Sequence, residues 1–406
     1  MMALAERGRR RALSTVAAIS ALLLSTPAAS ATESLHTDVQ LAPGITYRSF
    51  EMSTAHGPVV AYLLTADLRV PSVELGLLHP GAVAARDEIP DMANAQGAIA
   101  GVNGDFFNIS SSHEGIEATG SAVGPEIADG ADRKAAVPNG QRFGPALPAG
   151  TSTEDVFGVG VDRRARVSSV ELDGMLRSRG RTAEISGLNQ YALPVDGIGV
   201  FNADWGRVSR ARAVCGTDTD RTAPCSEQTE EVVVSNGVVS STQDRPGAGD
   251  IPAGTVVLVG REGGAAELEK LDVGDRVVVE THLSAADAPP LDFAVGGFPI
   301  LRGGKPLSGL DTKELAPRTA AGVSADGRTA YLLTVDGRSA ASTGLSVLET
   351  AQLLRSAGAV DGMNLDGGGS STIAAREPGQ DLATVRNVPS DGVPRPVANG
   401  VGVFSR

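Results

Sequence analysis

Apolar and polar residues alternate from Thr46 to Leu78, and β-branched residues are concentrated in Val59-Val60-Ala61-Tyr62-Leu63-Leu64. A two-residue period of this kind predicts strands. A shorter apolar run, Ala98 to Val102, ends on Asn103-Gly104-Asp105-Phe106-Phe107-Asn108. Residues 120–150 are rich in Gly, Pro and Ala without a clear period, which predicts surface loops. Residues 156–280 then read almost wholly as strand, most sharply at Val232-Val233-Val234-Ser235-Asn236-Gly237-Val238-Val239, where Asn-Gly between apolar runs favours a two-residue hairpin turn. Further on, Thr319 to Ser324 and Thr329 to Val335 flank Ala325-Asp326-Gly327-Arg328, a second hairpin signature. Ser346-Val347-Leu348-Glu349 is a capping box opening a helix. Val347, Leu348, Ala351, Leu354 and Ala357 recur at helical spacing, and Gly358 is placed to end it. Ala359 to Leu365 predicts a buried strand running into Asp366-Gly367-Gly368-Gly369-Ser370-Ser371. The pattern is α+β: strand-rich mixed sheets packed with a few helices.

The first residues follow a different rule. Arg7, Arg9, Arg10 and Arg11 precede an apolar run from Ala12 to Leu24, and Ala29-Ser30-Ala31 offers a small-residue cleavage site. This is the three-part pattern of a secretory signal peptide over residues 1–31. The run is too short for a membrane anchor, and no later segment is long and apolar enough to span. The expected organisation is therefore a leader, an N-terminal β-rich region at 32–94, and a single catalytic domain at 95–406 that includes a β-rich section at about 156–290. The mature protein would be secreted. Outside the cytoplasm, Cys215 and Cys225, ten apart across a polar loop, are most simply a disulfide. Metal binding by two thiolates is the weaker alternative, since no histidine is near them in sequence.

Composition narrows the function classes. With 41% hydrophobic and 20% charged residues, the chain can bury a core, and its 50 glycines and 23 prolines stay below the range of disordered or collagen-like chains. Aromatic residues make up only 3%, so a sugar or base site has few stacking platforms. A net charge of −13 argues against nucleic-acid or anionic-membrane partners, which need surplus Lys and Arg. Loss of the arginine-rich leader would make the balance more negative still.

Three strand ends carry a polar or acidic residue beside glycine: Asn103-Gly104-Asp105, Asp336-Gly337-Arg338 and Asn364-Leu365-Asp366-Gly367. Plain turns account for such pairs in general. Three consecutive glycines add no packing and cost backbone entropy, so the Asp366 loop points to backbone approaching a ligand. Its N–H groups can form an anion-binding nest, with Ser370 and Ser371 adding hydroxyls. A serine hydrolase is excluded there, because the second glycine of a nucleophile elbow is missing. The five histidines show no paired zinc spacing. Arg318 and Arg338 could neutralise an anion. Glu349 is divided between its capping role and a catalytic one.

Taken together, Asn103-Gly104-Asp105-Phe106-Phe107, Gly296-Gly297-Phe298-Pro299-Ile300-Leu301, Arg318-Thr319-Ala320, Asp336-Gly337-Arg338, Asn364 to Ser371, Asn387-Val388-Pro389-Ser390-Asp391 and the ending Val397 to Phe404 resemble the phosphodiester glycosidase family from about Ala95 onward. The resemblance implies cleavage between a sugar C1, N-acetylglucosamine-like, and a phosphate oxygen. Bacterial relatives are commonly labelled exopolysaccharide-related. It implies Asp366, Asp336, Asp105 and Glu349 as catalytic candidates. Substrate binding would fall to Asn103, Gly104, Arg318, Arg338, Asn364, Gly367, Gly368, Gly369, Ser370 and Ser371. A phosphate is already a good leaving group, so charge stabilisation should outweigh acid assistance, and one carboxylate, Asp366 first, should be indispensable. No cofactor is required by the sequence, although clustered carboxylates suit Ca²⁺ or Mg²⁺. The partner expected is a sugar-phosphate or cell-envelope glycan. A glycosidase of neutral surface polysaccharide and a non-catalytic envelope-glycan-binding protein stay open as alternatives.

Overall fold

Strands dominate, as the alternating pattern requires. The computed structural model describes residues 33–406, so the leader expected at 1–31 lies outside the described residues. The largest sheet has eight antiparallel strands in the order Glu33–Ala42, Ile45–Thr54, Gly57–Asp67, Thr329–Val335, Arg318–Val323, Asp361–Asn364, Phe298–Arg302 and Lys305–Pro306. A second antiparallel sheet runs Thr384–Val385, Ile373–Ala375, Ala100–Asn103, Gly400–Ser405 and Val73–Leu78. The early strands and the last ones thus share two sheets. Apolar faces of both meet in one core that includes Ile45, Leu64, Leu75, Val102, Leu332, Met363 and Val401.

The expected hairpins form. Asn236 (φ 50°) and Gly237 (φ 75°) both lie in the left-handed region, and Ser235 pairs with Val238. Residues 120–150 differ from expectation, because Glu126–Ala128 and Ala131–Lys134 form a hairpin that joins Leu291–Gly296 in a further five-stranded sheet. Its turn is Asp129-Gly130, with φ of 50° and 72°. That is the same two-residue signal as Asn236-Gly237, hidden here by strands of only three and four residues. The β-rich section, read as almost wholly strand, also contains a short helix, Gly263–Leu268.

The helix Val347–Ser356 starts on the expected capping box, with Ser346 Oγ accepting from Glu349 N–H and the Glu349 carboxylate accepting from Ser346 N–H. It packs Val347, Ala351 and Leu354 against the large sheet. Gly322 opposite has no room for a side chain, since a Cβ there would sit 2.7 Å from Ala359 Cβ.

Two strand ends meet where the two sheets converge. Asp366 N–H donates to Gly104 O at 2.8 Å, Leu365 N–H to Thr319 O at 2.9 Å, and Asn103 N–H to Thr372 O at 3.2 Å. The chain segments carrying Asn103 and Asp366, more than 250 residues apart, are thereby stitched into one surface.

Candidate active site

Asn103 is the stitch itself. It is fully buried, its Nδ2 donates to Asp366 O (2.7 Å), and its Oδ1 accepts from Thr319 Oγ1 (2.6 Å) and Thr372 N–H (3.0 Å). Three of its hydrogen-bonding positions are therefore committed to protein, and the residue orients the Asp366 loop. Gly104 beside it is forced by packing, because any Cβ would run into Asn399 Oδ1.

Asp366 follows, half-buried at the loop's start. Desolvation raises its carboxyl to about 7; the Ser370 hydroxyl, the Gly367 N–H (2.9 Å) and Arg395 pull it back down, and the nearby Asp105 charge pushes it up. A carboxyl poised near neutrality suits proton transfer or nucleophilic attack at ordinary pH.

Each glycine of the triplet has its own cause. A Cβ on Gly367 would lie 2.8 Å from Pro317 O, and Gly368 sits at φ +61° with Arg338 Nη1 beside it. A Cβ on Gly369 would collide with the Arg395–Asp391 ion pair (2.6 Å). Backbone does approach closely here, and what it approaches is guanidinium. Arg395 Nη1 also reaches Ser370 Oγ at 3.3 Å. Arg338 is exposed and carries no carboxylate partner among the described residues. Arg318 is 6% exposed and donates Nε to Leu345 O (2.8 Å) and Nη2 to Glu314 O (2.7 Å), which leaves Nη1 and the second Nη2 hydrogen for a ligand.

Beneath Asp366 lies a buried charged group. Asp105 is 2% exposed and accepts from the N–H groups of Gly124 (2.5 Å) and Phe106 (2.8 Å). Burial raises its proton affinity; Gly124 N–H, Lys134 and Arg142 lower it. Lys134, fully buried, donates to the carbonyls of Val123, Gly124 and Ala135, and burial brings it down to about 8 against the pull of Glu126 and Asp105. Asn399 ties the group together, accepting from Asp105 N–H (2.8 Å) and donating to Glu126 Oε1 (2.7 Å). Arg142 covers the site from another side, its guanidinium over the Phe106 and Phe298 rings at 5.3 and 5.7 Å and within electrostatic reach of Asp105 and Asp366.

The remaining candidates sit apart. Asp336 is buried, its proton affinity raised by desolvation, and its oxygens accept from Tyr62 Oη (2.9 Å), Asn387 Nδ2 (3.2 Å) and Val388 N–H (3.1 Å). Through Asn387, which also donates to Ser371 O (3.0 Å), it braces the far end of the loop. Glu349 gives one oxygen to its capping box and the other to His56 Nε2 (2.9 Å), and these bonds hold its carboxyl below the usual range against a desolvation that acts the other way. Asn364 Oδ1 and Ser371 Oγ are buried without a protein partner. Sequence reading missed Arg395 and Arg142. Arg395 lies between two prolines in a periodless stretch, and Arg142 in a stretch taken for surface loop; neither offers a local signal.

For a divalent cation the arrangement gives little help: Asp105, Asp336 and Asp366 do not gather into a ligand set. Among the described residues the one group of His, Cys, Asp or Glu with ligand atoms within 4.8 Å of one another is His113 with Cys215 and Cys225. A histidine is thus near the thiols after all, but the two sulfurs are bonded to each other, as expected outside the cytoplasm.

Asp366 and its glycine loop thus lie against Arg338 and Arg395, with Arg318 packed behind the loop and Arg142 within electrostatic reach. Residues 228–404 match the phosphodiester glycosidase family. The match supports a glycosidase-type function, and it takes in Arg318, Asp336, Arg338, Glu349, Asp366 and Arg395 while leaving Asn103, Asp105 and Arg142 outside. No curated protein matches the chain. Among solved structures, a hypothetical protein from Synechocystis is 20% identical with a TM-score of 0.71, covering 92% of this chain; this chain spans 64% of that one. A Burkholderia pseudomallei protein described as exported is 20% identical with a TM-score of 0.70, over 93% of this chain and 97% of that one. Both show the fold. The zebrafish N-acetylglucosamine-1-phosphodiester α-N-acetylglucosaminidase catalytic domain is 14% identical, covers 93% of this chain and 88% of that one, and has a TM-score of 0.44, too low to carry a geometric argument.

Proposed function

We propose that this phosphodiester glycosidase-like protein is an exported hydrolase that cleaves the bond between C1 of an N-acetylglucosamine-like sugar and a phosphate oxygen. One observation carries the reading: a carboxyl poised near neutrality stands beside a glycine loop against which Arg338 and Arg395 are packed. A neutral glycoside has no use for such a cationic wall, whereas a departing phosphate does. Arg338 and Arg395, with the loop N–H groups, take the negative charge that grows on the phosphate. Asp366 acts on the C1 side in its ionised form, as nucleophile or as the base that activates water. Asp105 and Asp336, their oxygens committed to protein donors, shape that carboxylate and brace its loop. Asn103 fixes the loop. Export is supported by the arginine-rich leader, the Cys215–Cys225 disulfide and the name of the Burkholderia relative. No helix among the described residues is long and apolar enough to cross a membrane.

The test compares the methyl phosphodiester of N-acetylglucosamine-1-phosphate with a neutral aryl N-acetylglucosaminide. The phosphodiester should be the better substrate, and Asp366→Asn should fold and lose its turnover. Equal turnover of both compounds, or full activity in the variant, would sink the proposal.

A further inference from the structure

A small cavity of about 90 Å³ is lined by Ser110 to Ser112, Phe143, Arg212, Arg221 and Thr222. It connects to the site through one residue. Arg142 faces Asp105 and Asp366 with its guanidinium, and its carbonyl accepts from Arg221 Nη1 at 2.5 Å. Arg221 in turn lies flat over Phe143, 4.0 Å from the ring centroid. Arg142 is thus bonded to a residue of the cavity wall through its carbonyl and feels the charges of Asp105 and Asp366 at its guanidinium.

Its electrostatics are unusual for a chain of net charge −13. Arg221 lies close enough to Arg142 and Arg212 to oppose the charge on each, after the burial that weighs most on both. Yet no carboxylate pairs with any of the three among the described residues. Arg212 donates to Cys215 O and Gln141 Oε1 (both 2.9 Å), Arg142 to Pro145 O, and Arg221 to Arg142 O. Arg142 Nε is buried with no partner at all. The neighbouring Arg261 shows the contrast, since it is neutralised by Glu262 at 2.8 Å. Asp220, next to Arg221 in the chain, is exposed and takes the hydroxyl and N–H of Thr222 (both 2.8 Å). Arg142 has the charges of Asp105 and Asp366 to answer it, which leaves Arg212 and Arg221 as like charges held together without a carboxylate partner, an arrangement that an anion would complete. The serine hydroxyls add donors of the kind that bind phosphate oxygens.

We propose that this cavity is a second anion subsite, which receives a phosphate on the leaving-group side of the substrate, so that the preferred substrate is a sugar-phosphate chain bearing successive phosphates and not an isolated phosphodiester. The inference rests on the function proposed above for Asp366. Arg221 and Arg212 supply the charge, Ser110 to Ser112 the hydroxyl donors, and Phe143 holds the Arg221 plane in place. The disulfide Cys215–Cys225 closes the loop that carries Arg221, which gives that short polar loop a positioning role.

Two substrates test it: a sugar-1-phosphate methyl diester, and the same diester whose aglycone carries a second phosphate. The wild type should favour the second through KM. Arg221→Gln should raise KM for the bis-phosphate about tenfold and leave the methyl diester within about twofold, because one charge-assisted contact is lost. Ser112→Asp, at an exposed position that the fold tolerates, should do the same by repulsion. Parallel changes with both substrates, or no wild-type preference, would overturn the subsite. If neither compound is cleaved, the reading of Asp366 fails, and the subsite is judged separately by titration with pyrophosphate. Saturable binding that Arg221→Gln weakens and Arg395→Ala spares supports it; binding indifferent to Arg221 overturns it.

Discussion

Replacing Asp366 by asparagine should abolish turnover and at the same time stabilise the folded protein above neutral pH. Burial raises the folded carboxyl from 3.8 to about 7, while the unfolded chain keeps the ordinary value. The folded state therefore holds its proton through the window between those two values, and wild-type stability is fully present below the lower one and declines as pH rises through the upper. At about 1.36 kcal/mol per unit, the full shift corresponds to roughly 4 kcal/mol of destabilisation at about pH 8. Solvent at the mouth of this half-buried group screens part of that, so about 2 kcal/mol is the working expectation. Asparagine carries no charge and avoids the penalty. Urea unfolding of both proteins at about pH 4, 6 and 8 measures the difference. The variant should match the wild type at the lowest pH and exceed it by about 2 kcal/mol at the highest. A variant less stable at every pH, or a difference that ignores pH, would refute the claim that the carboxylate is held desolvated, and with it the reason for its poise near neutrality.

The catalytic rate should rise with pH through about 7 if Asp366 works ionised, and a pH–rate profile that falls through the same region would reverse its role to that of a proton donor. Asn103→Ala removes three hydrogen bonds at a fully buried position and should cost about 2–4 kcal/mol in unfolding experiments, with kcat falling more than KM because the loop loses its orientation. Arg395→Ala breaks a partly exposed ion pair and should change stability by less than about 1 kcal/mol, yet raise KM for phosphodiesters about tenfold; an unchanged KM would remove it from the anion wall. Replacing Cys215 and Cys225 together by serine should lower stability by about 2–3 kcal/mol, readable as a lower melting temperature.

What the chain discloses in advance is local. The hairpin at Asn236-Gly237, the capping box at Ser346 and Glu349, and the strand ending before Asp366 are each written in a few adjacent residues, and each forms as the spacing requires. Short strands defeat the same rules: the Asp129-Gly130 turn obeys hairpin chemistry, but three residues on one side give too little period to see. Roles are harder than elements. Asp366, Asp336 and Asp105 look alike in sequence, each an acid near glycine at a strand end. Only the fold separates them, by saturating Asp336 with Tyr62, Asn387 and Val388 and by sinking Asp105 beneath Gly124.

The arginines make the same point with charge. A surplus of acid over base says that the average arginine has a carboxylate to meet, and several surface ones here do, such as Arg48 with Asp38 and Arg179 with Asp272. Against that background an arginine whose bonds all end on carbonyls is the informative case. Arg142, Arg212, Arg221 and Arg318 are of this kind, and Arg338 joins them without a partner. They come from loops and strand ends scattered across the chain, so no window of sequence could have grouped them. Arg318 and Arg338 converge on the Asp366 loop, Arg142 faces it from the side, and Arg212 and Arg221 line the cavity next to it. Cations left without carboxylate partners both at the poised carboxyl and at the neighbouring cavity are what the proposed second anion subsite requires in an acidic protein.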